Sequence, residues 1–443
     1  CLYSFCSLPN FYRSSTSLGM ASDKLKTSNK VFALAVPVMI SNISTPLIGV
    51  IDTAIVGQIP DPSLIGAVAI SAMLFSLLYW GFGFLRMGTT SLTAQSIGAC
   101  DQSESRAILM RALIVSLAAG LGLIALQTPI SALGFFFLKA SSSVEFLSKQ
   151  YFDIRIWSAP ATFINYALVG WFIGLGRAQI ALLIQLILNF LNAFLDWYFV
   201  IELGMGVKGV ALGTLFAEFF AAIIGLIFAV KIYRHLEKEK NKISIWNFSK
   251  LQKLFNVSTD IMVRSLALMF VFVWFTSQSA KNGDLVLAAN AILMHFITTT
   301  AYFLDGFAIA AESLAGRAIG AKSRKDFVRI SKVTLSWSAI IAALASIVLI
   351  ALGPNIIRVL TVDTNIRETA IEFMLWAALA PCIATWCYQL DGIFLGATWT
   401  REMVKSMLIS TTLFLLVYWV LMPLQNTGLW LSLYFHFPFL FIM

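Results

Sequence analysis

Long apolar stretches separated by short polar loops run along nearly the whole chain. Twelve of them approach or exceed the ~20 residues that an α-helix needs to cross the hydrocarbon core of a bilayer. Several are longer than this minimum, which indicates tilted or bent helices. The pattern therefore predicts an all-α integral membrane protein with twelve transmembrane helices. The twelve segments are 31–56, 64–97, 107–137, 156–176, 180–201, 207–230, 257–279, 285–316, 328–352, 372–397, 404–424 and 427–443.

Composition supports a membrane protein and excludes other classes. Apolar residues make up 59% of the chain and charged residues 12%, about half the charged fraction of soluble domains. The net charge of +9 does not indicate a nucleic-acid partner, because the basic residues lie in short loops between apolar segments. The five cysteines show no CxxC spacing, which argues against a zinc site and a disulfide framework. The sequence contains no P-loop, HExxH or GxSxG motif, so we expect neither an ATP-driven pump nor an enzyme, and no cofactor.

Two short motifs recur at an offset of 222 residues, about half the chain. LTAQSIGA at 92–99 corresponds to LAGRAIGA at 314–321, and VGWFIGLG at 169–176 corresponds to DGIFLGAT at 391–398. Because six spans is an even number, both copies of such a repeat enter the membrane in the same direction. We therefore predict two six-helix parallel repeats around a central cavity, related by a pseudo-twofold axis along the membrane normal. The predicted boundaries are an N-terminal tail at 1–30, a bundle at 31–230, a cytoplasmic linker at 231–256 and a second bundle at 257–443.

The basic residues indicate the orientation in the membrane. With the N-terminus inside, 22 of the 31 lysines and arginines fall on the cytoplasmic side and 7 on the opposite side, while Arg86 and Arg264 lie within segments. This positive-inside bias predicts that both termini are cytoplasmic, and we expect a multi-pass protein of the plasma (inner) membrane. The seven residues assigned to the opposite loops are Lys139, Lys149, Arg155, Lys208, Lys281, Arg358 and Arg367.

The first nineteen residues are rich in serine and carry Arg13 as their only charge. We interpret them as sequence translated ahead of a start at Met20. The alternative is an organelle transit peptide, which would also be rich in serine and poor in acids. Whether residues 1–19 belong to the mature protein, and whether segment twelve is truncated at the C-terminus, both stay open.

Polar side chains share one face of segment five. Gln185, Asn189, Asn192 and Asp196 follow each other at spacings of 4, 3 and 4 residues, which places them on the same side of a helix. Hydrogen bonding between helices would explain the amides. It explains Asp196 less well, since a carboxylate within the membrane is costly, and we therefore predict a functional role for this aspartate.

Segment one combines an acid with two prolines. Asp52 lies on a face with Ser41 and Thr45, while Pro37 and Pro46 each remove a backbone hydrogen bond and favour a kink. A kinked helix that carries one acid is a candidate moving part. The alternative is that Asp52 is merely solvated, because the loop begins about five residues later.

At these residues the chain resembles the multidrug and toxic-compound extrusion (MATE) family, in its DinF-like branch. The similar pieces are PVMISNISTPLIGVIDTAIVG at 37–57, NAFLDWYFV at 192–200 and GVKGVALGT at 206–214, together with AQSIGA and AGRAIGA at the loop edges. The resemblance covers about residues 25–440. It implies a secondary antiporter that exports organic, often cationic or amphipathic, compounds in exchange for protons or sodium ions.

The resemblance also implies roles for particular residues. The cation-coupling and substrate-binding residues fall on Asp52, Asn192, Asp196 and Thr214, and the bending proline falls on Pro37. In the implied alternating-access cycle, protons neutralise the two aspartates, weaken substrate binding and let segment one bend. Secondary candidates are Asp391, which is similar to an acid of other branches, and Asp305, Gln185 and Asn189. The expected partners are a small organic molecule and membrane lipid, with no nucleic acid and no metal, and we expect a monomer.

The alternative is a lipid-linked oligosaccharide flippase of the same superfamily. Such a protein needs a basic cavity for pyrophosphate. Away from the ends of the predicted segments the charges are mostly acidic, with Arg86 and Arg264 as the basic ones, which favours export of cations. The sequence names neither the substrate nor the coupling ion.

The orientation leads to a labelling prediction. Ser103, between segments two and three, and Ser323, between segments eight and nine, should both be cytoplasmic. A cysteine placed at either position in a cysteine-free background should resist impermeant thiol reagents in intact cells and react after permeabilisation. Labelling of one position but not the other in intact cells would contradict the parallel repeat.

Overall fold

The computed structural model describes residues 17–59, 61–138, 141–236 and 247–439. These residues are almost entirely helical, and no strand occurs among them. A 3-10 turn at Ile156–Ser158 joins α6 to α7, another at Met422–Leu424 joins α14 to α15, and a π turn at Tyr198–Glu202 extends α8. The α-helices are α1 (Ser17–Val56), α2 (Pro62–Trp80), α3 (Phe84–Gly98), α4 (Gln102–Ala125), α5 (Gln127–Leu138), α6 (Ser142–Arg155), α7 (Ala159–Gly174), α8 (Ala178–Trp197), α9 (Gly206–Leu236), α10 (Phe248–Lys281), α11 (Asp284–Gly320), α12 (Arg324–Leu360), α13 (Thr364–Ala397), α14 (Thr400–Leu421) and α15 (Gln425–Phe439).

The helices confirm the predicted fold class. Within the described residues, eleven helical stretches are long and apolar enough to cross a membrane. The last of them, Thr400–Phe437, contains α14 and α15 and so holds the predicted segments eleven and twelve. Most of the tail, at 1–16, the centre of the predicted linker, at 237–246, and the last four residues, 440–443, lie outside the described residues. The two interpretations of the first nineteen residues, the end of segment twelve and the linker therefore stay predictions.

The predicted start of the fourth segment is wrong, because the helical stretch begins fourteen residues earlier in the structure. It was predicted to start at residue 156, with Lys149 and Arg155 in a loop, but the spanning stretch starts at Ser142 and includes both. A search for apolar runs overlooks α6 because its exposed face is polar. Its other face is buried against α2, where Ser148 Oγ donates a 3.2 Å hydrogen bond to the carbonyl of Ala67. Arg155 consequently belongs to a helix and not to a loop.

The backbone contacts divide the chain into two compact units. Unit 1 comprises residues up to Val36, Ser91–Gln102 and Met269–Met443, and unit 2 comprises Pro37–Thr90 and Ser103–Leu268. Helix α1 therefore contributes to both units, and it passes from one to the other at Pro37. The helix-bending candidate thus stands at the boundary between the two parts of α1.

The unit 1 part of α1 is anchored by aromatic side chains. The ring of Phe32 lies 4.7 Å from that of Trp337 and 5.8 Å from that of Phe307, both edge to face. Trp337 also donates a 3.1 Å hydrogen bond from Nε1 to Ser28 Oγ. These contacts fix the segment that precedes Pro37.

The two copies of the first repeated motif pack against each other within unit 1. A Cβ added to Gly98 would meet the backbone of Arg317, and a Cβ added to Gly320 would meet the backbone of Gln95. Gly98 and Gly320 are separated by the repeat offset of 222, and so are Gln95 and Arg317. Each copy of the motif therefore makes the same contact with the other copy, as in an isologous pair. Small residues are required here because the helix backbones touch.

This crossing leads to a stability prediction. Gly98→Ala should cost roughly 1–3 kcal/mol, because a methyl group cannot fit against backbone atoms that have no room to move. The melting temperature of the detergent-purified protein measures the effect. Gly122→Ala is the control, since a Cβ there meets nothing within 4 Å. Equal melting temperatures for the two variants would show that the helices can separate without cost.

Candidate functional site

The predicted polar face of α8 points into unit 2. Asn189, Asn192 and Asp196 are buried, and Gln185 is half-buried. The opposite face carries exposed apolar side chains, among them Phe190. The spacing of the polar residues along the helix thus gives a polar stripe that is shielded from the surroundings.

Asn192 joins α8 to α9. Its amide nitrogen Nδ2 donates to Asp196 Oδ2 at 3.0 Å and to Thr214 Oγ1 at 3.3 Å. Thr214 in turn donates to the carbonyl of Val210, one turn earlier in α9, at 3.1 Å. The amide therefore presents its donor side to two oxygen atoms, one of them the carboxylate of Asp196.

Asp52 of α1 completes this cluster. Its carboxyl group lies within hydrogen-bonding contact of the carboxyl group of Asp196, although the residues are far apart in the chain. Oδ1 of each aspartate is buried and accepts no hydrogen bond from any described N–H or O–H group. Two carboxylates in contact repel each other, whereas a proton held between them supplies the missing donor.

Gly213 allows this packing. A Cβ added at this position of α9 would collide with Asp196 Oδ1 and would lie 3.0 Å from the backbone nitrogen of Asp196. The glycine is therefore needed for its lack of a side chain, and it lets α9 approach the carboxyl group that Asn192 and Asp52 also contact.

The N-terminal part of the polar stripe, at Gln185 and Asn189, connects α8 to α1 by hydrogen bonds. Gln185 Nε2 donates to Asn189 Oδ1 at 2.8 Å, and Asn189 Nδ2 donates to Ser44 Oγ at 2.7 Å. Ser44 donates to the carbonyl of Ser41 at 2.7 Å. For these two amides the structure supports the reading that they hold helices together.

Arg155 lies beside the carboxyl pair and was missed by the sequence reasoning. It interacts electrostatically with both Asp52 and Asp196. Its Nη1 donates to the hydroxyl of Tyr151, and its guanidinium group lies 4.9 Å from the centre of the Phe75 ring. The available signal was the helical spacing of Ser148, Tyr151 and Arg155, which an apolar-run criterion does not use.

A third buried carboxylate lies one turn beyond Thr214. Glu218 Oε2 accepts a 2.7 Å hydrogen bond from Asn165 Nδ2, which also donates to the carbonyl of Glu218 at 3.1 Å. Glu218 also interacts electrostatically with Arg155. The sequence shows the four-residue spacing of Thr214 and Glu218, but it does not show that Asn165 of α7 contacts Glu218.

The remaining candidates lie elsewhere. Asp305 on α11 and Asp391 on α13 belong to unit 1 and are half-buried, so neither joins the cluster around Asp196 within unit 2. Pro37 is buried on α1, fifteen residues before Asp52. Across the described ranges, no group of three or more His, Cys, Asp or Glu side chains is arranged to hold a metal ion.

Comparison with known proteins gives a consistent set of similarities. The MatE family model matches residues 37–198 and 261–420. DNA damage-inducible protein F of Escherichia coli (strain K12) is 37% identical over 412 residues, which cover 92% of this chain and 89% of that protein. Protein DETOXIFICATION 44, chloroplastic, of Arabidopsis thaliana is 26% identical over 414 residues, covering 88% of this chain and 77% of that protein. Multidrug export protein MepA of Staphylococcus aureus (strain MSSA476) is 21% identical over 338 residues, covering 76% and 74%.

Solved structures share the fold at low sequence identity. A MATE protein in its bent conformation superposes with a TM-score of 0.84 at 19% identity, covering 94% of this chain and 93% of that one. A transporter of the MOP superfamily from Pyrococcus furiosus, described as having a binding pocket of reverse polarity, superposes with a TM-score of 0.83 at 19% identity, covering 94% of each chain. These likenesses agree with the twelve-helix architecture.

The close approach of α9 to Asp196 predicts a coupled pair of substitutions. Gly213→Ala should destabilise the protein by roughly 1–3 kcal/mol, because the new methyl group displaces the Asp196 carboxyl group. In an Asp196→Ala background the same change should cost much less, since the group it displaces is gone. Melting temperatures of the two single variants and the double variant form the test. An equal effect of Gly213→Ala in both backgrounds would contradict the contact.

Proposed function

Because this chain belongs to the MATE family of multidrug and toxic-compound efflux transporters, we propose that it is a secondary antiporter driven by inward proton flux. The exported compounds are organic and either cationic or amphipathic. Asp52, Asn192, Asp196 and Thr214 bind the proton and the substrate in turn. The protein is not an enzyme, and transport requires no cofactor.

The contact between the carboxyl groups of Asp52 and Asp196 carries this proposal. A pair of acids in a poorly hydrated site cannot hold two negative charges without a compensating proton or cation. Uptake of a proton and uptake of a cationic substrate therefore exclude each other at the same oxygen atoms. Such competition at one site is the minimal requirement for exchange.

The donors around the pair favour a proton over a sodium ion. Sodium is bound by several oxygen atoms, but Asn192 presents its Nδ2 donor to Asp196 and Thr214. The Thr214 hydroxyl group already donates to a backbone carbonyl and accepts from Asn192. A proton shared by two carboxyl groups needs none of these additional ligands.

The conformational step uses α1. Proton binding removes charge from Asp52, which lies on the same helix as Pro37, and Pro37 lacks the backbone donor that would stiffen the helix there. The neutral pair then permits α1 to bend and the substrate to leave.

Both termini lie in the cytoplasm, the protein acts as a monomer in the plasma (inner) membrane, and its two bundles span 31–230 and 257–443.

The flippase alternative fits the site less well. A pyrophosphate head group would require several basic side chains, whereas the cluster in unit 2 holds three carboxylates and Arg155. The acidic character of this cluster favours a cationic substrate.

The proposal is tested by removing the charge of each acid. Asp52→Asn and Asp196→Asn should each reduce efflux driven by a pH gradient to background, because asparagine retains the shape of the side chain but cannot take up and release a proton. Both variants should insert and melt at or above the wild-type temperature, since a buried charge and its desolvation cost are removed. Efflux per inserted molecule is measured in vesicles with an imposed proton or sodium gradient.

Asp284→Asn is the matched control, because it removes an exposed carboxylate at the start of α11. It should transport like the wild type. Normal transport by both site variants under a proton gradient would place the coupling site elsewhere. Transport by the wild type under a sodium gradient alone would refute proton coupling.

A further inference from the structure

Arg155 is an unusual residue for its position. It lies within the spanning stretch Ser142–Gly174, where an arginine is costly and remains charged. Nevertheless it forms no salt bridge to any described carboxylate. Its Nε is buried and donates to no acceptor among the described residues. A charged side chain that forms no salt bridge within a spanning stretch needs an explanation beyond packing.

Aromatic side chains hold the guanidinium group in place. It lies 4.9 Å from the ring centre of Phe75 and 5.6 Å from that of Tyr151, whose hydroxyl group accepts from Nη1. Both rings are fully buried. Helix α6, which carries Arg155, packs on α2 and on α9, the helix of Thr214. The charge therefore has a fixed position beside the acid pair.

Charged and titratable groups on six helices face Arg155. Asp52 belongs to α1, Tyr79 to α2, Tyr151 to α6, Tyr166 to α7, Asp196 to α8 and Glu218 to α9. When both aspartates have released their protons, the pair carries two negative charges, and Arg155 compensates one of them. Glu218 adds a third negative charge to the cluster when it is ionised, so removing the guanidinium group makes the surroundings of the pair more negative by one unit. The comparison below alters Arg155 alone, so Glu218, which accepts a hydrogen bond from Asn165, is the same in every variant.

We propose that Arg155 is a specificity determinant of the acid pair, and that its charge shifts the preference of the site towards monovalent over divalent organic cations. A dication experiences one more unit of repulsion from the guanidinium group than a monocation does. The inference rests on the proposed function, because it concerns the substrate of the same site. Arg155 acts through the field at the carboxyl pair and is a specificity-determining residue.

The test compares two probes in three variants and the wild type. Tetraphenylphosphonium is the monovalent probe and methyl viologen the divalent one. Initial efflux rates are measured in proteoliposomes under a fixed pH gradient with the membrane potential clamped. Arg155→Gln should raise the rate ratio of methyl viologen to tetraphenylphosphonium by about tenfold. Arg155→Lys keeps the charge and should leave the ratio close to that of the wild type.

Arg358→Gln is the control for loss of a positive charge elsewhere, because Arg358 is exposed near the end of α12 in unit 1. It should not change the ratio. Binding of both probes to detergent-purified protein, followed by tryptophan fluorescence, gives the same ratio as an affinity and is independent of whether a variant still transports. The melting temperature of each variant shows that it is folded.

Two outcomes overturn the inference by itself. In the first, the wild type exports tetraphenylphosphonium under a pH gradient but Arg155→Gln leaves both the rate ratio and the affinity ratio unchanged. In the second, Arg155→Lys changes the ratios as much as Arg155→Gln, so that shape and not charge is responsible. Failure of the wild type to move or bind either probe would instead refute the proposed function, and the inference with it.

Discussion

Asp52 and Asp196 can lie in contact inside unit 2 only while a proton or another positive charge reduces their repulsion. This electrostatic constraint accounts for the other features of the cluster. Asn192 presents a donor to Asp196, and Gly213 removes the side chain that would separate α9 from the carboxyl group. Arg155 supplies a fixed positive charge near the pair and forms no salt bridge to either carboxylate among the described residues. Among the described residues, no group donates a hydrogen bond to Oδ1 of either aspartate.

The same constraint connects chemistry to conformation through α1. This helix carries Asp52 within unit 2, while its first part belongs to unit 1 and is fixed there by Phe32 against Trp337. A change in the charge of the pair therefore acts on a helix that both units share. Pro37 stands where the helix passes from one unit to the other, at the point where its backbone is least able to resist bending. A ligand shifts a conformational equilibrium only through its different affinity for the two states, and in the proposed mechanism the charge of the pair provides that difference.

The sequence predicts the helices well because every span must be a helix of about 20 mostly apolar residues. Hydropathy identifies nearly all of them, and helical spacing correctly groups Gln185 with Asp196 on a buried face. Hydropathy does not identify α6, because the polar residues on its exposed face lower the mean hydropathy of the helix. The sequence therefore predicts a loop at Arg155, where the structure has a helix. The meeting of Asp52 with Asp196 was implied by the family resemblance, since no pattern within one helix reports which other helix it contacts. The reciprocal approach of Gly98 and Gly320 was detectable in principle, because glycine recurs at the repeat offset.

The repeat also shows that the acid pair has no acidic counterpart at the equivalent positions of the other half. Moving each residue of the cluster by the offset of 222 gives its equivalent in unit 1, and none of these equivalents is acidic. Asp52 corresponds to Trp274, Asn192 to Phe414, Asp196 to Tyr418, Thr214 to His436 and Arg155 to Ala377. In unit 1 these positions are occupied by packed groups: Tyr418 donates to Gln278 Oε1 at 3.3 Å, and the Phe414 and His436 rings meet edge to face at 6.0 Å. The two halves thus share close helix crossings, such as Gly170 against Arg86 and Gly392 against Ala308, but only one of them retains the acid pair. A duplicated fold can carry an acid pair in one copy alone, because the close backbone crossings depend on small residues, whereas the proposed proton exchange depends on charges that the second copy does not need.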